Sequence, residues 1–286
     1  MRTLKRFALT AAAALLAAST SSCFAVTDLE RFSKSPGSTG NFSDLRLTVR
    51  GMTSHVNEMF EYRIIDRDNI LQSRGIIQPL GRPDATMFVA GAVPKQNGPF
   101  KLDFYADHDP THNMHYDRDQ VAGTGDHSWR VFLDGSTDPP TPSSFDQNKG
   151  QYEVSFDHNT SFNLLTDPFP PREIGSPATV RLSNMGAFLG KRLEVRIADA
   201  SSKRVVAFYR VPSLAEVAPT LTIPGMMEDE VAYTIEVYTD DNPLPTGTPG
   251  SVRAFRIEQQ SGSNKAGLDV SFDPAKAPEV HDAAPP

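Results

Sequence analysis

The sequence predicts an all-β protein with two tandem, immunoglobulin-like, antiparallel β-sandwich domains that arose by internal duplication. First, residues 47–66 recur as residues 180–199. Second, each copy contains several short segments in which apolar and polar residues alternate, as in half-buried strands. Third, no segment beyond the N-terminus has a strong helical period. Seven or so short strands in about 100 residues are typical of a sandwich. "Immunoglobulin-like" describes the architecture alone, because the Cys–Trp–Cys pattern of antibody domains is absent.

Residues 1–25 form a predicted export signal. Arg2, Lys5 and Arg6 give a positively charged start, and an apolar run from Phe7 to Ala18 follows. That run is shorter than the roughly 20 residues that a membrane-spanning helix needs, and small residues come after it. We therefore expect the chain to be exported.

Cys23 is the only cysteine and lies just beyond the apolar run. The stretch "TSSC" (Thr20–Cys23) resembles the lipobox of bacterial lipoproteins, although that family prefers Leu at the position of Thr20. The resemblance implies lipidation at Cys23 and an anchor in the outer membrane. Alternatively, signal peptidase I cuts after Ala25, and the protein is periplasmic or secreted. In neither case does a disulfide stabilise the fold.

The repeat sets the domain boundaries. Met52 corresponds to Met185 and Glu61 to Glu194 at an offset of 133 residues, whereas "VSFD" recurs at an offset of 116, so copy two is shorter. The predicted organisation is a Ser/Gly/Pro tether at 26–42, domain 1 at 43–160, a Pro-rich linker at 161–175, domain 2 at 176–274 and a disordered tail at 275–286.

The predicted strands of domain 1 follow from period-2 patterns, with equivalents in domain 2. Phe60, Tyr62 and Ile64 alternate with Glu61 and Arg63, which predicts a half-buried strand. Trp129 corresponds to Phe255, and both are predicted to be core aromatics. The remaining strands of domain 1 are predicted at Leu45–Val49, Ala85–Val89, Phe100–Ala106, Ser128–Leu133 and Tyr152–Phe156.

One loop contains a cluster of residues that could bind a metal ion. The segment "DFYADHDPTHNMHYDRDQVAGTGDHSWR" (Asp103–Arg130) begins and ends as a strand, and four of the seven histidines lie between. Clustered carboxylate and carbonyl oxygens suit calcium, and the start of the loop resembles EF-hand-type or dockerin-like loops. It lacks their glycine, which His112 replaces, and their final glutamate, which Arg118 replaces. The candidate Ca²⁺ ligands are Asp107, Asp109, Asn113 and Asp117.

The same loop offers ligands for a transition metal. Imidazole suits Zn and Cu, and the thioether of Met114 suits Cu(I). The candidate ligands are His108, His112, His115 and His127. His55 follows an early strand, and its distance from the loop is left open. A third alternative is a solvated loop whose Asp and Asn side chains cap turns. Copy two retains Asp240 and Asn242 but lacks the histidines.

Composition and motifs exclude several function classes. The net charge of −7 and the lack of a basic run exclude a nucleic-acid partner. No nucleophile elbow, zincin motif, phosphate loop or dinucleotide fingerprint is present, which predicts that the protein is not an enzyme. We therefore expect a non-enzymatic binding or structural module of the cell envelope, with an envelope protein or a glycan as partner. The alternative is a periplasmic or surface metal-binding protein that uses the Asp107–His127 loop for Ca²⁺ or for Cu/Zn.

Overall fold

Runs of β-branched and aromatic residues form the strands of a computed structural model that describes residues 40–107, 126–133, 143–160, 171–240, 252–259, 264 and 266–277. The first half contains β1 (Phe42–Arg50), β2 (Met59–Ile65), β3 (Leu71–Ile77), β4 (Ala85–Pro94), β5 (Phe100–Asp107), β6 (His127–Leu133), β7 (Ser143–Asp146) and β8 (Gln151–Asp157). The second half contains β9 (Ser176–Leu182), β10 (Arg192–Asp199), β11 (Val205–Val211), β12 (Thr220–Met227), β13 (Tyr233–Asp240), β14 (Val252–Gln259) and β15 (Leu268–Phe272).

Helical structure within these residues is limited to two 3₁₀ turns, Thr53–His55 and Met185–Phe188. They occupy equivalent positions, since each connects the first two strands of its half. No helix in the described ranges has the length and apolar character needed to cross a membrane.

An eight-stranded sheet joins the two halves, in the order β14-β13-β10-β11-β3-β2-β5-β6. At its centre β3 and β11 pair in parallel, and Arg74 lies opposite Ala207 and Gly75 opposite Phe208. Partners in parallel strands point to the same face of a sheet, so the positions of Arg74 and Ala207 share one face and those of Gly75 and Phe208 share the other.

The two smaller sheets lie on opposite faces of the large sheet, because Arg74 contacts β12 on one face and Arg210, which pairs with Ile77, contacts β4 on the other. Strands β4-β1-β8-β7 cover one face and strands β12-β9-β15 the other. The hydrophobic core of the first half accordingly includes Val205 and Phe208 of β11. The core of the second half includes Leu71 and Ile76 of β3. Each core thus contains side chains from both halves.

A buried carboxylate in each half faces the small sheet of the other half. Glu61 forms ion pairs with Arg63 and Arg74, at 2.6 and 2.7 Å, and accepts a hydrogen bond from the hydroxyl of Tyr105. Arg74 in turn donates to the carbonyl oxygen of Pro224 in β12. The first half's charged cluster is therefore covered by a strand of the second half.

The equivalent cluster in the second half surrounds Glu194. Its carboxylate pairs with Arg196 and Arg210, both at 2.7 Å. Arg210 donates to the carbonyl oxygen of Thr86 and Arg196 to that of Phe88, both in β4 of the first half. Burial alone would raise the pKa of Glu194, but the arginines outweigh it and lower that pKa to about 2.

The predicted all-β sandwich fold is confirmed, and Trp129 and Phe255 are core aromatics. The prediction that β2 is half-buried is wrong. Glu61 is fully buried, because paired arginines and the opposing strand β12 cover the face that the alternation assigned to solvent. The end of the predicted linker is docked, since Glu173 pairs with Arg74 at 3.2 Å. The predicted domain boundaries themselves remain predictions.

Candidate metal centre

Three histidines meet at one end of the first sandwich. His55 ends the 3₁₀ turn between β1 and β2, His127 begins β6, and His158 directly follows β8. They lie far apart in the sequence, but β1 pairs with β8, and the antiparallel pairs β2–β5 and β5–β6 bring the start of β6 to the same end. The topology therefore creates this cluster, which we call the histidine triad.

The triad extends the apolar core to the surface. Trp129 and Phe156 are buried core residues, and His127 and His158 lie two residues further along the same strand faces. The period that points the aromatic rings inward therefore also points these imidazoles toward the end of the core. His55 is buried, His158 is half-buried and His127 is exposed.

The nitrogen atoms of the triad converge. Nε2 of His55 lies 3.3 Å from Nε2 of His158 and 3.2 Å from Nδ1 of His127. One donor atom from each of the three side chains lies within 4.8 Å of the other two. Two ligands on a tetrahedral zinc ion, with Zn–N of about 2.05 Å, are separated by about 3.3 Å. Two of the three separations thus match that value, and the exposed side chain of His127 can rotate to shorten the third.

Glu58 fixes the orientation and tautomer of His55. Its Oε2 lies 2.6 Å from Nδ1 of His55, and an ionised carboxylate can only accept a hydrogen bond. Nδ1 therefore carries the proton, and in the neutral ring the lone pair is on Nε2, which faces the other two rings. Metal-binding histidines are commonly held by a carboxylate in this way.

The surroundings of His158 favour its neutral imidazole. Trp129 contacts all three rings, with centroid distances of 5.8 Å to His55, 6.1 Å to His127 and 5.7 Å to His158. Burial, together with the nearby His55 and His127, lowers the pKa of His158 below its ordinary value. A neutral ring is the form that binds a metal ion.

The predicted ligand residues are only partly described by the structure. His127 belongs to the triad. Asp107, the last residue of β5, is buried, but it lies on the opposite face of the sheet, because Ala106 pairs with His127 and neighbouring residues alternate. The other predicted ligands lie outside the described residues: His108, Asp109, His112, Asn113, His115 and Asp117.

Sequence reasoning left His55 open and missed His158. The repeat contains the signal that could have identified both. At the repeat's offsets Phe188 replaces His55, Lys191 replaces Glu58, Arg253 replaces His127 and Pro274 replaces His158. In the structure Phe188 is buried, and Lys191 and Arg253 lie over its ring at 5.5 and 5.4 Å. The second half therefore closes the same end with apolar and cation–π contacts.

Comparisons with known proteins do not assign a family. No protein-family model matches the sequence, and no curated protein matches it significantly. Among solved structures, the fimbrial anchor protein Mfa2 from Porphyromonas gingivalis is 12% identical with a TM-score of 0.23, covering 76% of this chain and 99% of its own. The shaft pilin SpaA from Lactobacillus rhamnosus GG is 8% identical with a TM-score of 0.19, covering 82% and 98%. The Bacillus anthracis TIE protein is 10% identical with a TM-score of 0.20, covering 80% and 33%. Similarity at this level assigns no function.

Proposed function

We propose that this chain is an exported, non-enzymatic protein of the cell envelope whose first sandwich binds one divalent transition-metal ion through His55, His127 and His158. One observation carries the proposal. The single lone pair on Nε2 of His55 faces a ring nitrogen of each of the other two histidines, at 3.2 and 3.3 Å. It can accept a proton well from only one of them. A cation between the three nitrogens uses all three lone pairs.

The donor set selects the class of metal. Three imidazoles suit Zn²⁺ and Cu²⁺, whereas Ca²⁺ takes oxygen ligands. The hydrogen bond from His55 to Glu58 increases the basicity of one ligand and holds its ring in place. We therefore expect Zn²⁺ or Cu²⁺ at the triad and no Ca²⁺ there.

The remainder of the proposal concerns location and partners. The export signal and the lipobox-like stretch at Cys23 support a lipid-anchored protein of the outer membrane. The two interlocked halves provide a rigid body suited to binding an envelope protein or a glycan. Fractionation of cells tests the anchor: Cys23→Ala should move the protein from the membrane to the soluble fraction. Persistence of the variant in the membrane fraction would contradict lipidation.

The experiment for the metal is elemental analysis of the full chain, followed by calorimetric titration with Zn²⁺, Cu²⁺ and Ca²⁺. We expect one bound transition-metal ion per chain. Substitution of His55, His127 or His158 by Ala should reduce the affinity more than the ~10–100-fold that follows loss of a ligand's hydrogen-bonding partner.

Matched controls separate the triad from the predicted loop site. A variant with His108, His112 and His115 replaced by Ala loses the same number of imidazoles but retains the triad, so it should bind the ion as the parent does. If this variant loses the ion while His55→Ala and His158→Ala retain it, the loop is the site and the triad is not. A Ca²⁺ affinity that falls on changing Asp107 and Asp109 to Asn would instead support the oxygen site.

A further inference from the structure

We infer that the ion at the histidine triad keeps one exchangeable coordination position that binds small monodentate anions. This inference rests on the proposed function, because it concerns an ion held by His55, His127 and His158. The proposed function names the three protein ligands of the ion. The inference adds the class of external ligand that completes its coordination: a small anion such as hydroxide, azide or a carboxylate.

The core side of the site cannot supply a further ligand. Trp129 lies beneath all three imidazoles, and its indole N–H can only donate a hydrogen bond. Phe104 stacks on Trp129 with a centroid distance of 5.6 Å, and Phe156 packs against it at 5.1 Å. Aromatic rings therefore close the core side of the ion's site, and any additional ligand must approach from the opposite side.

The opposite side leads to the surface. His55 is 4% exposed and forms the inner wall, whereas His127 is exposed and His158 is half-buried. Among the residues that the structure describes, the group of histidine, cysteine and carboxylate donors around this point consists of the three histidines. Zinc in a site with three protein ligands completes a tetrahedron with water or another external molecule.

Charge determines which external ligand is preferred. Imidazoles are neutral when they bind a metal, so they leave the ion's two positive charges uncompensated. Glu58 is directed at Nδ1 of His55, on the far side of that ring from Nε2. Asp157 accepts a hydrogen bond from the backbone N–H of Asn159 at 2.9 Å. Neither carboxylate lies among the three nitrogens, so positive charge remains at the open position and favours a small anion over a neutral molecule.

The second half shows the same end of a sandwich without this chemistry. Phe188 replaces the inner histidine, and Arg253 and Lys191 lie over its ring. This end offers no imidazole at the equivalent positions. We therefore expect one anion-responsive ion per chain, in the first half.

The test uses the full chain loaded with Co²⁺, whose visible absorption reports the number and type of its ligands. Azide is the first probe and acetate the second. We expect the Co²⁺ spectrum to shift saturably with azide, to shift with acetate, and to do so equally in the variant with His108, His112 and His115 changed to Ala.

Each other outcome overturns a defined claim. If Co²⁺ binds with a stoichiometry of one but neither anion changes its spectrum, the chain itself fills the fourth position, and the inference fails while the proposed function stands. If only the variant lacking His108, His112 and His115 responds, one of these histidines is that ligand, and the inference again fails. If Co²⁺ does not bind, or if it binds equally well after His55→Ala, the proposed function fails and the inference with it.

Discussion

At the scale of single residues, the two ends of the repeat differ in how they finish a hydrophobic core. His55 and Phe188 both lie in a 3₁₀ turn, are both buried, and both contact the core aromatic of their half. One of these side chains can bind a metal ion, and the other contributes apolar area and a π face. A few side-chain changes at fixed backbone positions thus separate a candidate metal centre from an ordinary core end.

Glu58 provides the residue-scale prediction. Glu58→Gln should lower the Zn²⁺ affinity by roughly 10–100-fold, because the amide is a weaker acceptor for Nδ1–H of His55 and no longer offers a negative charge. Calorimetry on the full chain measures the change. Glu153→Gln is the matched control, since it removes one charge from β8, where Glu153 pairs with Lys149 and not with the triad. Equal affinities for Glu58→Gln and the parent would show that Glu58 does not support the site.

The sequence predicts these residues unevenly, for a physical reason. His127 is part of a histidine-rich stretch, so composition alone drew attention to it. His158 follows an unremarkable strand and approaches His55 only because β8 pairs with β1 in parallel. Long-range pairing of this kind leaves no local pattern. Only the comparison of repeats, in which Pro274 stands at the equivalent position, could have indicated His158.

At the scale of elements, β3 and β11 form the seam between the halves. The alternating pattern predicts several of the strands, but it predicts none at residues 71–77. Every residue of β3 except Gln72 is buried, so the segment has no polar face to give a period of two. Its fifth residue is Gly75, which is unfavourable in a strand unless another group must approach closely. The element that fuses the halves is therefore one with a weak sequence signal.

Gly75 yields the prediction for this seam. A Cβ atom at Gly75 would lie 2.1 Å from the ring of Tyr62 and 2.3 Å from that of Phe208, so the two rings must move apart. Gly75→Ala should reduce the free energy of unfolding by about 1–3 kcal/mol, as overpacked cores do. Gly186→Ala, where the new atom meets nothing within 4 Å, should leave it nearly unchanged. Urea denaturation compares the two, and a Gly75→Ala variant as stable as Gly186→Ala would contradict the close packing.

At the scale of the whole molecule, each half contributes hydrogen bonds and core residues that stabilise the other. Each buried glutamate is neutralised by arginines of its own half, and these arginines donate hydrogen bonds to a strand of the other half. The hydrophobic cores are shared across the seam in the same way. The sequence repeat correctly predicted a pair of similar β-sandwich halves. It could not predict that they interlock, because charged residues that alternate with apolar ones look the same whether water or another sheet covers them.

Because the two halves share cores and hydrogen bonds, we expect loss of the Glu194 ion pairs in the second half to destabilise the first half as well. Burial raises and the arginines lower the pKa of Glu194, with a net value of about 2 in the folded chain against an ordinary value of 4.5. Because the folded pKa is the lower one, the stabilisation is complete above pH 4.5 and disappears as the pH falls toward about 2. Its size above pH 4.5 is roughly 3 kcal/mol.

Glu194→Gln tests this coupling through Trp129, the only tryptophan, which lies in the first half. Near neutral pH we expect the variant's urea transition, followed by Trp129 fluorescence, to move to lower urea together with the far-UV circular dichroism transition. The difference from the parent should shrink between pH 4.5 and 2. Asp269→Asn, which breaks an exposed ion pair with Arg181 in the same half, should change little. If circular dichroism shifts while the Trp129 transition does not, the halves unfold separately, and the shared sheet does not couple them.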